Sequence, residues 1–374
     1  MKQAPDCKRF TGYKPCYPDY NCWENGCCDM KEGGKKIIII NLDGIGDVMM
    51  STAQLPSLKK KYPVSTISWV TMGYCSPLLE NNPFLDKVYP YNFETVNILS
   101  QLEFDEVINL DKSHKSASLC GIINAKNKLG FGLDINGKIV PLNEGAIYNY
   151  NLGMDDYLKF KINKKTKQEY VAETMEIEFP RSEYTFELTA DEIEYSDSYC
   201  KSLGIEEGEF VLGFNTGCAN LYPNKKLTIE QHINLINRFL DHGIKILLLG
   251  GPEDTERNKE IYSHFEGKIY NTPSTDGIRR GACYENIADV VITGDSFGMH
   301  LAIALKKHVI AWFGLSCWTE IDLYDRGIML IPEGLECAPC WKKVCPYNLE
   351  CREMVDLDRI EKEVLRFKSV KFPL

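Results

Sequence analysis

The run Ile37-Ile38-Ile39-Ile40 passes directly into Asn41-Leu42-Asp43-Gly44-Ile45-Gly46-Asp47-Val48-Met49-Met50, and no other stretch of the 374 residues limits the fold as tightly. A strand with one wet face alternates apolar and polar residues. Four consecutive β-branched apolar residues instead suit a central parallel strand covered on both faces. Gly44 and Gly46 let the backbone turn tightly and lie close to a ligand. Asp47 then falls in the first turn of a helix. Strand, glycine turn and helix open an α/β sheet, in which ligands bind beyond the carboxyl ends of the strands.

The rest of the chain fits that unit. Residues 1–34 are polar, aromatic and cysteine-rich, without helix or strand period, and form an appended segment closed by Glu32-Gly33-Gly34. Residues 35–179 alternate strand and helix and read as an N-terminal Rossmann-like domain. The helix from Asp47 extends to about residue 62, where Pro63 stops it, and Pro56 kinks or splits it. Strands are expected at 66–71, 87–91, 106–110 and 128–132, and helices at 113–124 and 168–178. The tyrosine-rich stretch 143–167 has no clear period. Residues 180–355 form a second Rossmann-like domain, with a helix at 191–203 and strands at 210–215, 245–249, 288–293 and 308–313. Its strongest helix signal is 228–241: Thr228 and Gln231 make a capping box, Ile229, Ile233, Ile236 and Leu240 line one face, and Gly243 follows. Residues 356–374 form a terminal helix expected to pack back across the domain interface. The expected fold is two doubly wound domains whose carboxyl-end edges face a common cleft.

Charge and cysteine usage narrow the class. A net charge of −10 argues against a nucleic-acid binder. Apolar runs are only strand-length and the N-terminus carries no signal-peptide pattern, so a cytoplasmic protein is expected, compatible with loose contact at a membrane surface. Of fifteen cysteines, five lie between Cys7 and Cys28 and four between Cys337 and Cys351. In a reducing compartment such clusters point to metal rather than disulfides. Cys337, Cys340, Cys345 and Cys351 follow a C-x2-C-x4-C-x5-C spacing that can close around Zn²⁺ or iron. Cys7, Cys16, Cys22 and Cys27 form a second, less regular set. Both read as structural clips, with a role in linking subunits into a homo-oligomer as a further use; reduced packing cysteines are the plain alternative.

Three loops of the second domain suit a nucleotide diphosphate. Asn215-Thr216-Gly217-Cys218-Ala219-Asn220, with Lys225 following, offers backbone N–H groups and a mobile charge to phosphate. Glu253, in Gly250-Gly251-Pro252-Glu253-Asp254, can accept from ribose hydroxyls, and Asp254 or Thr255 can cap a helix. In Gly294-Asp295-Ser296-Phe297-Gly298-Met299-His300, Ser296 or Asp295 caps a helix whose free N–H groups face an anion. Gly298 makes sense if backbone approaches phosphate closely. His300 is a phosphate donor or a core histidine. In the first domain Asp47 is a base or a helix cap, and Lys112, His114 and Lys115 are a basic group for an anionic acceptor or a solvated loop.

Asp43-Gly44-Ile45-Gly46-Asp47-Val48, Gly217 through Lys225, Gly250-Gly251-Pro252-Glu253-Asp254, and Gly294-Asp295-Ser296 with Met299-His300-Leu301-Ala302 occur in the order seen in family 9 glycosyltransferases, which the chain resembles over residues 35–366. The resemblance implies the GT-B fold and an inverting transferase, taking heptose from ADP-heptose without metal in the chemistry. It implies Asp47 as the base on the acceptor hydroxyl, Lys225 at the leaving diphosphate and Glu253 at the ribose. Thr216, Gly217, Asp295, Ser296, Phe297, Gly298, Met299 and His300 would complete the donor site, with Gly46 shaping the acceptor side. The acceptor would be lipopolysaccharide, another glycan or a protein hydroxyl. The cysteine tail resembles that of iron-binding autotransporter heptosyltransferases.

Three rivals stand beside this reading. A dinucleotide oxidoreductase needs G-x-G-x-x-G, and Met49 occupies the third glycine position. An iron–sulfur or other metal redox protein needs a more compact cysteine run. A non-catalytic nucleotide-sugar-binding module would keep the second-domain loops and not use Asp47.

Overall fold

The computed structural model describes residues 7, 8, 10, 21–27 and 31–371, so the expected ligand Cys16 lies outside the described residues. The chain forms two compact units. One holds the chain up to Met154 together with Gln168–Ser182, and the other holds Asp155–Lys167 and Glu183 onward.

The first unit is built on β1 (Lys35–Ile40), β2 (Ser65–Thr71), β3 (Lys87–Pro90), β4 (Glu103–Asn109), β5 (Asn124–Leu133) and β6 (Ile139–Pro141). Their order is β3-β2-β1-β4-β5-β6, parallel except for the antiparallel β5–β6 pair. The isoleucine run is the central strand, and all four side chains have 0% exposure. Ile38 and Ile40 pack with Val70, Leu99, Val107 and Leu119; strand alternation sends Ile37 and Ile39 to the other face. Burial of this kind contributes about 2 kcal/mol per side chain. The following helix does split at Pro56. Helix Ile45–Ser51 runs through a 3₁₀ turn, Thr52–Gln54, into helix Leu55–Lys61, with the proline in its opening positions, where no backbone N–H is missed. The tyrosine-rich stretch resolves into helix Gly145–Leu152 and a π-helical turn, Leu158–Ile162.

The second unit is built on β7 (Val211–Asn215), β8 (Lys245–Leu249), β9 (Tyr270–Asn271), β10 (Val290–Gly294), β11 (His308–Trp312) and β12 (Gly327–Leu330). Their order is β12-β11-β10-β7-β8-β9, parallel throughout. Counted within each unit, both sheets read 3-2-1-4-5-6, the doubly wound order. Capping boxes at Thr189/Glu192 and Thr228/Gln231 start helices Ala190–Ser202 and Ile229–Asp241. Helix Leu357–Lys371 belongs to this unit. Its Ile360 and Val364 enter the core beside Leu235, Phe239 and Ile244, and Arg238 bonds its Asp358 and Glu361. Among the described residues no helix is long and apolar enough to cross a membrane.

Candidate functional site

In each sheet the winding reverses between the first and fourth strands, and there the loops diverge to leave room for a ligand. In each, an amide side chain ties the two loops together. Asn41, just past β1, donates to Asp111 Oδ1 beyond β4 at 2.6 Å, and Asp111 Oδ2 also accepts the Leu42 N–H. Asn215, at the end of β7, donates to Thr293 Oγ1 at 3.1 Å and to Ser296 Oγ at 2.8 Å, both beyond β10. Neither amide was singled out from sequence, although each closes the opening strand of its domain.

At the first of these points Gly44 takes φ +78° and an added Cβ would lie 2.7 Å from Asp47 Oδ2. The glycine thus permits the turn and makes space for the carboxylate of Asp47, in the first turn of helix Ile45–Ser51. Gly44 precedes this helix without a side-chain cap. The expected basic group is divided. Lys115 is paired with Asp43 at 2.7 Å, whose other oxygen accepts from the Tyr74 hydroxyl; the Asp43 carboxylate raises the Lys115 pKa against a smaller effect of burial. Lys112 bonds the carbonyl and side-chain oxygens of Asn149 at 2.7 and 2.9 Å. His114 Nε2 lies 3.1 Å from the Gly137 carbonyl. Two of the three hold loops in place, and Lys115 stands with the strand-end carboxylates.

At the second point Lys225 Nζ lies 2.6 Å from Asp295 Oδ2, with both side chains mostly enclosed. Burial would push the Asp295 carboxyl up, but the Lys225 ammonium and then His300 outweigh it and hold the pKa below its ordinary value. The lysine backbone is fixed too: Trp312 Nε1 donates to the Lys225 carbonyl at 3.0 Å. Lys225, Asp295, Trp312 and Ser316 line a small opening. The expected capping by Ser296 does not occur: no side chain caps helix Phe297–Ala304, and Ser296 Oγ instead accepts from Asn215. The first-turn N–H groups are therefore left without a side-chain acceptor, a favourable place for an anion. Gly298 also has a packing reason. A Cβ there would overlap the Asn215 amide. Met299 has 0% exposure, so only its backbone can serve a ligand. His300 is 5% exposed, with its Nδ1 3.4 Å from the Tyr184 hydroxyl.

The loop after β7 is held from beneath. Thr216 has 0% exposure; its hydroxyl bonds Asn258 and its carbonyl accepts from Arg257 Nε at 3.0 Å. A Cβ on Gly217 would overlap the Asp254 carboxylate, which accepts the Gly251 N–H at 3.0 Å. Asp254 is thus a structural strut, and burial raises its pKa. Glu253 points to the same loop from outside, its Oε2 accepting the Asn220 N–H at 2.8 Å.

Among the described residues no group of three or more His, Cys, Asp or Glu side chains is arranged to hold an ion. Cys337, Cys340, Cys345 and Cys351 therefore form no such group as they stand here, and the N-terminal set is described only at Cys7, Cys22 and Cys27. The C-terminal thiols also meet other groups. Cys345 Sγ accepts the Tyr347 N–H at 3.4 Å, and Cys351 packs on Gly314, where a Cβ would lie 3.1 Å from Sγ. Burial raises the Cys351 pKa, and Cys340, Cys345 and Cys337 add to the rise.

The sequence profile of glycosyltransferase family 9 (heptosyltransferase) matches residues 95–350. Lipopolysaccharide heptosyltransferase 2 of Salmonella typhimurium is 22% identical over 299 residues, covering 75% of this chain and 83% of that protein. The fold is similar to that of ADP-heptose lps heptosyltransferase II of E. coli, with a TM-score of 0.67 and 19% identity, covering 90% of this chain and 99% of that one. It is also similar to the iron-containing dodecameric glycosyltransferase TibC from enterotoxigenic E. coli H10407, with a TM-score of 0.55 and 10% identity, covering 90% of this chain and 77% of that one.

Proposed function

Since the chain belongs to glycosyltransferase family 9, the heptosyltransferases, we propose that this GT-B enzyme transfers heptose from ADP-heptose, with inversion, to a hydroxyl of lipopolysaccharide or of a similar glycan or protein acceptor. The observation that carries the reading is the Lys225–Asp295 pair, at 2.6 Å, beside the uncapped start of helix Phe297–Ala304. A site that must stabilise a departing nucleoside diphosphate needs a fixed cation and oriented N–H groups where the charge develops. A cytoplasmic setting is part of the proposal: every cysteine among the described residues is a free thiol, as a reducing compartment favours.

The chemistry assigns each residue a part. The acceptor oxygen attacks the anomeric carbon, and its proton passes to Asp47. The bond from that carbon to the phosphate oxygen breaks on the opposite face, and its electron pair leaves on the diphosphate. Lys225 and the N–H groups at Ser296, Phe297 and Gly298 meet that charge. Glu253 keeps Asn220 on Oε2 and offers Oε1 to the ribose; Lys115 serves an anionic acceptor. The matched family span begins after Asp47, so its role rests on its position past the central strand, beside Gly44 and Gly46.

Replacement of Asp47 by Ala tests the base. Turnover should fall about 10²–10⁴-fold while ADP affinity, measured by calorimetry, is retained. Wild-type turnover in D47A would remove Asp47 from the role. A thermal-shift screen with ADP-, GDP- and UDP-sugars tests the donor, and stabilisation by none of them would defeat the reading.

A further inference from the structure

We propose that Trp341, carried by the cysteine-rich loop, is a positioning residue that holds the Lys225 ammonium in place for the leaving diphosphate. The inference rests on the part given to Lys225 above and extends it to a segment with no role in that scheme. Lys225 Nζ lies 4.3 Å from the Trp341 ring centroid. Tyr222 meets the same indole edge-on, at 5.1 Å and 75°, and its ring is 5.8 Å from the ammonium. Lys225 is thus enclosed by a carboxylate and two aromatic rings.

The two kinds of partner act differently. Asp295 accepts a hydrogen bond and offsets the charge that an incoming phosphate also seeks. An indole face attracts the cation through its quadrupole and leaves the net positive charge intact. A flexible four-carbon stem can therefore be ordered without being neutralised further.

The loop is anchored as delivery of the indole requires. The Cys340 and Trp341 N–H groups both donate to the Leu315 carbonyl at 2.9 Å. Lys161 bonds the Glu336 and Ala338 carbonyls at 2.9 and 3.2 Å, and Asn224, next to Lys225, bonds the Lys343 carbonyl at 3.3 Å. Trp341 itself takes φ +49°, a left-handed conformation costly for a bulky residue. Its indole Nε1 is enclosed without a hydrogen-bond partner. A tryptophan placed only to fill space generally satisfies that N–H. Here the ring meets Lys225 and Tyr222 through its π system, and a second ammonium, Lys159, stands farther off at 5.7 Å from its centroid.

The test compares W341L, W341F and K225A in the full chain. The first readout needs no turnover: labelling of Lys225 by an amine-reactive reagent, followed by mass spectrometry. Loss of the indole in W341L should speed that labelling about fivefold, and W341F, which keeps a π face, should restore slow labelling. The second readout is steady-state transfer from ADP-heptose. W341L should lower kcat about tenfold with donor KM within about twofold, W341F should recover most of it, and W341L should add nothing in a K225A background. Unchanged Lys225 labelling in W341L, or equal damage from W341L and W341F, would overturn the inference, as would additivity with K225A. Wild-type protein that binds no ADP and turns over no nucleotide sugar would instead defeat the functional reading, and the labelling result would still decide whether Trp341 holds Lys225.

Discussion

Replacing Gly298 by alanine should destabilise the protein, against the expectation from helix propensity alone. Gly298 lies in the first turn of helix Phe297–Ala304, and alanine is favoured over glycine in a helix by about 1 kcal/mol. The structure reverses the sign. The new methyl group would overlap the side-chain amide of Asn215, which is 5% exposed and donates to Thr293 and Ser296 at 3.1 and 2.8 Å. Asn215 must swing away. Two hydrogen bonds at about 1 kcal/mol each are lost, and stranded partners in an enclosed site add about 1–2 kcal/mol. Against the propensity gain the net loss is about 2–3 kcal/mol. Urea unfolding of G298A, N215A and the double variant gives the assay. With Asn215 shortened to alanine the methyl group finds space, so G298A should there be neutral or stabilising by up to about 1 kcal/mol. A G298A protein more stable than wild type, or one with the same loss in both backgrounds, would refute the reasoning.

Gly217→Ala should be destabilising for a related reason, since its methyl group would enter the Asp254 carboxylate; ADP affinity and urea midpoint should both fall, while Gly281→Ala, inside helix Ile278–Asn286 with no neighbour within 4 Å, should leave ADP affinity unchanged and stabilise by up to about 1 kcal/mol. His232 has 0% exposure, and burial, then the Arg257 charge, push its pKa down to about 3. The unfolded chain protonates this ring near pH 6.5 and the folded chain refuses the proton, so stability is lost as pH falls from about 6.5 towards 3, at about 1.4 kcal/mol per unit. His232→Gln should be the less stable protein at pH 7 and should lose the difference on acidification, in urea midpoints taken from pH 7 to 4; parallel curves would show that His232 does not titrate in this way.

The parts of the fold legible in the sequence are those governed by local period. The isoleucine run could only be a strand covered on both sides, Pro56 could only begin a helix or break one, and Thr228 with Gln231 announced a helix start. β9 and β12 were not legible, because edge strands of two and four residues with mixed burial carry no period. At the site, loop chemistry was visible and pairing was not. The Lys225–Asp295 contact joins residues 70 apart in the chain, and depends on β10 lying beside β7. The glycine at 298 points to a close backbone approach, and nothing in the sequence reveals that the Asn215 amide fills the space where a Cβ would stand. The cysteine spacing describes closeness along the chain, and in the fold Cys340, Cys345 and Cys337 lie near enough to Cys351 to raise its pKa.

The order in which the two units use the chain bears on synthesis. Gln168–Ser182 belongs to the first unit although Asp155–Lys167, which precedes it, belongs to the second. The late segment is bonded into its unit: Gln54 Nε2 donates to the Gln168 carbonyl at 2.9 Å and Lys61 to the Glu176 carbonyl at 2.8 Å, while Asn149 bonds Thr174 at 3.2 Å. A nascent chain released as far as Met154 therefore lacks part of its first globule. That globule can close only after a stretch reserved for the second has already left the ribosome. A stop codon or a protease cut anywhere in 155–167 should leave a first half with unmet hydrogen bonds and exposed apolar surface, so the halves are separable on paper and not by a single cleavage.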